Sequence, residues 1–242
     1  MIAHCGTRAA LSVMQQQCQV ADRATLMVDH RYNSDMKGNY MAQLTDRFTH
    51  AVEYARMAHG PQVRKGTEIT YLAHLLSVAA LVLENGGTED QAIAGLLHDT
   101  LEDCGHRHEE EIRGRFGNVV AEIVLACTDG TAESKAAPQD AEAKRRDWHQ
   151  RKQAYLAHLA EASDVVLLVS GCDKLHNARA VLRDLVDPSV GMTVFNRFTG
   201  GVDGTLWYYG ALADVFEARG CRVAQEFASV VDAIKLLARP SA

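Results

Sequence analysis

Read as a pattern of apolar and polar positions, the chain is a succession of helical stripes separated by short polar breaks. Apolar residues at helical spacing begin at Phe48 and continue through Val52, Ala55 and Met57, with Thr45 placed to cap the helix that carries them. A polar turn, HGPQVRKGT, follows. The stretch from Tyr71 to Leu83 is helical by pattern and ends at Asn85-Gly86-Gly87, a helix-stop signal. Thr88 caps the next helix with Gln91 at the capping-box position, and Ala92, Ile93, Leu96 and Leu97 form a buried stripe that continues to Asp103. Two further helices are expected from Glu109 to Arg115 and from Asn118 to Cys127, separated by Phe116 and Gly117.

The second half repeats this alternation with longer elements. TDGTAESKAAPQD, from Thr128 to Asp140, is polar and turn-rich and reads as an exposed loop. Lys144 to Glu161 is a long amphipathic helix with a basic face. Asp164 is placed to cap DVVLLVSGCDKLHNARAVLRDL, whose apolar start suits a strand but whose length and Ala/Leu/Arg continuation favour a buried helix. From Asp187 to Gly204 the pattern is irregular, with glycines in FTGGVDG, and two final helices run from Thr205 to Glu217 and from Cys221 to Leu237. Residues 1–40 show weak periodicity and a QQQ run, and read as an N-terminal arm without fixed structure; the compact part begins at about Met41. No internal repeat interrupts this order, and the expectation is an all-α fold.

Composition narrows the class. A chain of 242 residues with 47% hydrophobic content can bury a full core, and only 4 prolines with 6% aromatic residues agree with helices. A formal charge of −6 argues against a general nucleic-acid binder, since a phosphate backbone demands a basic surface, but leaves room for a small anionic ligand where cations gather locally. Six dispersed cysteines without a CxxC pair read as reduced thiols. No apolar run reaches membrane-spanning length and the N-terminus lacks the pattern of a secretory signal, so the expectation is a soluble cytoplasmic protein, monomeric or homodimeric, without a membrane partner.

The chemistry gathers in GLLHDTLEDCG. On a continuous helix Glu102 lies one turn after His98 and Asp103 one turn after Asp99, so all four can face one cleft. An adjacent imidazole and carboxylate suit a divalent Mn, Fe, Zn or Ni ion better than Ca or Mg. His74 on the preceding helix can complete such a site, as can Asp173, a carboxylate within an otherwise apolar helix. A buried unpaired aspartate costs several kcal/mol, so roughly that much must come back from a cation, a metal or strong hydrogen bonds.

YLAH (Tyr71 to His74), HDTLED (His98 to Asp103) and DKLHNAR (Asp173 to Arg179) occur in the order and spacing that resembles the HD-domain hydrolases of the RelA/SpoT family, in particular the stand-alone small alarmone hydrolases, over about Phe48 to Leu185. The resemblance implies an all-helical fold; the expected division is an HD hydrolase core over 41–187 and, from the helical pattern, a C-terminal helical extension over 188–242 packed on it. It also implies one divalent metal, usually manganese, and removal of pyrophosphate from the 3′ position of ppGpp or pppGpp in the stringent response. Carried over by position, His74, His98, Asp99 and Asp173 match the metal ligands and Glu102 and Asp103 the catalytic acidic pair. Arg64 and Lys65 match a base-binding pair and Asn177 a ribose contact; Tyr71, Arg151, Lys152, Lys174 and Arg179 complete the expected substrate contacts. Nothing resembles a synthetase domain.

Ile69-Thr70 departs from the relatives, many of which have a proline just before the tyrosine, which leaves open whether the base is guanine or the adenine of a ppApp-type alarmone. The same metal site would also suit a phosphatase of another nucleotide such as NADPH, and a non-enzymatic nucleotide sensor could retain the fold. Cys104, His106 and His108 lack a fourth ligand for zinc. Trp207, Tyr208 and Tyr209 read as core or interface ahead of a nucleotide-stacking platform.

Overall fold

The computed structural model describes residues 43–128 and 140–238, so the expected arm over 1–40 and most of the expected Thr128–Asp140 loop lie outside it. Among the described residues there are ten α-helices: α1 (Asp46–His59), α2 (Tyr71–Glu84), α3 (Glu89–Leu97), α4 (Thr100–Cys104), α5 (His108–Phe116), α6 (Asn118–Cys127), α7 (Ala141–Glu161), α8 (Asp164–Val186), α9 (Gly201–Ala218) and α10 (Ala224–Leu237). One 3-10 helix, Gly191–Arg197, lies between α8 and α9, and an isolated antiparallel bridge joins Val63 to Thr70. Helix α8 packs on α2, α3, α6 and α10, and α3 packs on α1, α2 and α6.

Local chemistry explains the ends. The Thr45 hydroxyl accepts from the Arg47 N–H, and the Thr45 backbone N–H and hydroxyl donate to Glu89 Oε1 at 2.6 and 2.9 Å, so the starts of α1 and α3 are tied together. Thr88 and Gln91 form the expected reciprocal capping box, with bonds of 2.9 and 3.3 Å. Helix α8 is capped by Ser163, whose hydroxyl accepts from the Val166 N–H; Asp164, expected as the cap, is the first residue of the helix. Its apolar start is buried helix and not strand, because hydrophobic residues cover every side of a segment surrounded by four other helices.

Three expectations are corrected. The buried face of α1 is Ala51, Tyr54, Ala55 and His59; Phe48 and Val52 pack at its edge, while Met57 points out and is 68% exposed. The apolar pattern missed this rotation because the core side of α1 carries a phenol and an imidazole. The helix expected to run to Asp103 stops at Leu97 and restarts at Thr100, with ψ flattened to −2° at Asp99. His98 Nδ1 donates to the Gly95 carbonyl at 2.9 Å, the acceptor that a continuous ladder would assign to the Asp99 N–H. The segment expected to be irregular over 187–204 contains the 3-10 helix and the first turn of α9. Its glycines leave room for an indole: a Cβ on Gly200 would come within 2.6 Å of the Trp148 ring, and one on Gly204 within 3.1 Å.

Close approach also sets how the C-terminal elements meet α8. A Cβ added at Gly171 would lie 2.8 Å from both Cys221 Sγ and Val223 Cγ2, two buried side chains without space to retreat. Gly171→Ala is therefore expected to destabilise the fold by about 1–3 kcal/mol, the usual cost of overpacking. Thermal unfolding should show Tm falling by roughly 2–4 °C for each kcal/mol; an unchanged Tm would mean that this packing is looser than the distances indicate.

Candidate metal centre and cleft

Four side chains from α2, the α3–α4 break and α8 converge. His74 Nε2 lies 3.5 Å from Asp99 Oδ2 and 3.3 Å from Asp173 Oδ1; His98 Nε2 lies 3.0 Å and 3.4 Å from the same two oxygens. His74, His98 and Asp173 are buried and Asp99 is half-buried. Despite these distances, neither imidazole Nε2 makes a hydrogen bond.

The opposite ring nitrogens fix the tautomers. His98 Nδ1 donates to the Gly95 carbonyl, and His74 Nδ1 meets His176 Nδ1 at 2.8 Å. Burial, with the nearby His74 and Arg64, pushes His176 down to about 3, so it is neutral near pH 7 and able to accept from His74. With Nδ1 engaged in each ring, the two Nε2 atoms are the ones that face the carboxylates. Two buried, unpartnered imidazole nitrogens beside two carboxylate oxygens fit a divalent first-row ion, with the outer hydrogen bonds holding the ligands in place.

The electrostatics agree. Burial alone would drive His98 towards neutrality, but the Asp99 and Asp173 carboxylates outweigh it and raise its pKa well above the usual histidine value. Burial acts to raise Asp99 and Asp173; the neighbouring His98 for Asp99, and Lys174 followed by His98 for Asp173, outweigh it and hold both well below the ordinary carboxylate range. The pocket is built for positive charge between its carboxylates. Asp173 is held further by Lys174 Nζ on Oδ2 and by Asn177 Nδ2 on Oδ1, each at 2.6 Å, and the Tyr71 hydroxyl donates to Asp99 Oδ2 at 2.6 Å. Burial and the surrounding carboxylates of Asp99, Asp103 and Asp173 raise Tyr71 far above the normal phenol value, so it remains a donor.

A cleft of about 510 Å³ opens beside this cluster. Of the residues expected from the sequence, Arg64, Lys65, Tyr71, His74, Lys152, Lys174 and Asn177 line it. Arg64 Nη2 donates to Asn177 Oδ1 at 2.9 Å and sits 5.9 Å from the Tyr71 ring centroid, while Lys152 Nζ lies 4.9 Å from the Tyr208 centroid. The structure does not bring Arg151 and Arg179 to the cleft. Arg151 bonds Asp147 one turn back on α7, and exposed Arg179 pairs with Glu226 of α10. Sequence reasoning missed Arg183, Arg197, Trp148 and Thr199 as lining residues; of these only Trp148 has a sequence signal, the glycines that leave room for its ring. Tyr208 and Tyr209 are buried as expected of core, yet they also form part of the wall.

The acidic pair lies on α4. Asp103 is exposed, its N–H donates to the Asp99 carbonyl at 2.9 Å, and its Oδ2 accepts from Gln62 Nε2 at 2.9 Å. Glu102 is half-buried and three residues beyond Asp99. The Cys104-His106-His108 run holds no candidate metal cluster among the described residues: Cys104 Sγ donates to the Ala58 carbonyl and His108 Nδ1 meets the Tyr54 hydroxyl.

A helical array with a paired-histidine, paired-aspartate centre across the α2, α3–α4 and α8 elements defines the class: residues 51–196 match the HD domain family model, and the chain belongs to the HD-domain family. Within it, the chain is 36% identical over 136 residues to guanosine-3′,5′-bis(diphosphate) 3′-pyrophosphohydrolase MESH1 of Xenopus tropicalis, covering 55% of this chain and 68% of that one. The Danio rerio protein of the same name is 33% identical over 135 residues, covering 54% and 67%. A guanosine-3′,5′-bis(diphosphate) 3′-pyrophosphohydrolase of Aquifex aeolicus is 41% identical over 90 residues, but the match spans only 13% of its length. The fold is similar to that of a solved structure reported for a metazoan ortholog of SpoT that hydrolyses ppGpp, with TM-score 0.58 at 23% identity over 81% of this chain and 95% of that one. No helix among the described residues is long and apolar enough to cross a membrane.

Proposed function

We propose that the chain hydrolyses the 3′-pyrophosphate of guanosine alarmones, converting ppGpp or pppGpp to GDP or GTP and pyrophosphate, with one Mn²⁺ held by His74, His98, Asp99 and Asp173. The observation that carries this reading is the pair of buried, unpartnered imidazole nitrogens facing two carboxylates at the end of a cleft lined by cations and aromatic rings. When bound, the metal supplies Lewis acidity towards a phosphate oxygen and lowers the pKa of a water.

The chain's own groups do the rest. Glu102 and Asp103 take the proton of the attacking water, whose oxygen joins the 3′ phosphorus as the bond to the ribose 3′ oxygen breaks; that proton returns to the departing 3′ oxygen. Tyr71 holds Asp99, and Lys174 and Asn177 hold Asp173, so the ligand carboxylates do not swing during turnover. Arg64 presents a guanidinium face to a purine, with Asn177 between it and the centre; Lys65, Lys152 and Lys174 give an acidic protein a local positive potential for a polyphosphate.

The direct test is a screen of ppGpp, pppGpp, ppApp and NADPH with products identified. Pyrophosphate release from ppGpp and pppGpp is expected, abolished by a chelator and restored by manganese. Orthophosphate from NADPH would make the chain a phosphatase instead, faster turnover of ppApp would reassign the base, and binding without turnover would make it a sensor.

A further inference from the structure

The His59-Gly60-Pro61-Gln62 turn forms a bridge that the reaction above does not use. Gln62 Nε2 donates to Asp103 Oδ2 at 2.9 Å, and it is the one side-chain donor to that carboxylate among the described residues. Behind it, Gln62 Oε1 meets His59 Nδ1 at 2.8 Å. The orientation of the amide is set at its Asp103 end. The Asp103 carboxylate accepts, so the amide nitrogen faces it; the amide oxygen then accepts from His59, whose Nδ1 carries the proton. His59 is 4% exposed, and its Nε2 makes no hydrogen bond. A buried imidazole held in one tautomer with its other nitrogen unsatisfied carries a desolvation cost.

The same imidazole reaches the metal centre by a second route. Its ring stacks on Tyr71, with centroids 5.2 Å apart and planes 16° from parallel, and Tyr71 donates to Asp99. The backbone closes the arrangement: the Gln62 carbonyl accepts from the Tyr71 N–H at 2.9 Å, and the Asp103 N–H donates to the Asp99 carbonyl. Cys104 packs behind the bridge, its Sγ 3.8 Å from His59 Nδ1; burial and the neighbouring Asp103 and Asp99 carboxylates push its thiol up to about 11, so it remains neutral filling.

We infer that Gln62 is a positioning residue for the acidic pair: with His59 as its fixed back-stop, it holds the exposed Asp103 carboxylate in one orientation relative to the metal ligand Asp99. Asp103 otherwise stands in solvent on a helix of five residues, free to rotate away from the water it should deprotonate. This rests on the alarmone-hydrolase reading only for the reaction that Asp103 serves.

Gln62→Ala is expected to lower kcat for pyrophosphate release about 10–100-fold, the usual scale for small misplacement of a reacting group. KM and manganese affinity by calorimetry should stay near wild type, while Tm falls by roughly 2–4 °C for each kcal/mol lost as the buried His59 Nδ1 loses its acceptor. Because the residue acts through Asp103, Gln62→Ala should add less than about a twofold loss in an Asp103→Asn background. A crystal structure of Gln62→Ala should show the Asp103 carboxylate in more than one orientation. Unchanged kcat in Gln62→Ala, full additivity in the double variant, or an Asp103 carboxylate that keeps its single orientation would each overturn the inference. Wild-type protein without turnover of any alarmone would instead overturn the hydrolase reading, and the crystallographic comparison would still decide the tether.

Discussion

Asp99→Ala is expected to remove both metal binding and turnover while leaving the helical array folded. Asp99 Oδ2 is the oxygen nearest to His98 Nε2, at 3.0 Å, and also stands 3.5 Å from His74 Nε2, so its loss breaks the cluster at its centre. Outer hydrogen-bond partners of metal ligands typically cost about 10–100-fold in affinity when removed; a ligand itself should cost more. Manganese titration by calorimetry should therefore show affinity weakened by more than about 100-fold, with pyrophosphate release from ppGpp reduced to background. The fold should survive because Asp99 sits at the break between α3 and α4, where its side chain makes no cap hydrogen bond. Near-normal manganese affinity in Asp99→Ala would remove this cluster as the metal site, whatever happened to activity.

The sequence shows the parts of this arrangement that are local. The Thr88–Gln91 capping box and the stop at Asn85-Gly86-Gly87 are readable because their partners lie within a few residues. The four metal-facing residues are readable because three short motifs occur in order. What stayed hidden depends on partners far along the chain. Arg179 belongs to a motif with the right spacing, yet it turns to Glu226, 47 positions away on a helix whose packing no periodicity specifies. Trp148 joins the cleft wall because Gly200 and Gly204, over fifty residues later, leave room for its ring.

The buried polar residues were the other blind spot. His59 and Tyr54 form the core face of α1, but an apolar template scores them as surface, so the stripe was displaced onto exposed Met57. Nothing within DKLHNAR marks His176, although it sets the tautomer of His74. In each case the residue turns inward to a specific hydrogen-bond or ring partner, and such partners are visible only once the helices are docked.

Glu102→Gln separates chemistry from scaffolding at the acidic pair. Glu102 occupies the first turn of α4, where a carboxylate also interacts favourably with the helix N-terminus. If that were its whole role, the neutral amide would cost a few tenths of a kcal/mol, roughly the surface value for such a charge, and turnover would not move. As a proton acceptor for the attacking water, the same change removes the basic oxygen while keeping shape, and kcat should fall about 100-fold or more. Helical neighbours three residues apart share a face, so Glu102 stands one step from Asp99, which belongs to the cluster proposed to hold the metal. Manganese affinity should stay within about twofold of wild type, since Glu102 lies outside the proposed ligand set, in contrast to the loss expected for Asp99→Ala. A kcat loss with intact metal binding and unchanged Tm identifies the proton-transfer role; full activity would transfer that role to Asp103 alone and make Gln62, which orients it, correspondingly more important.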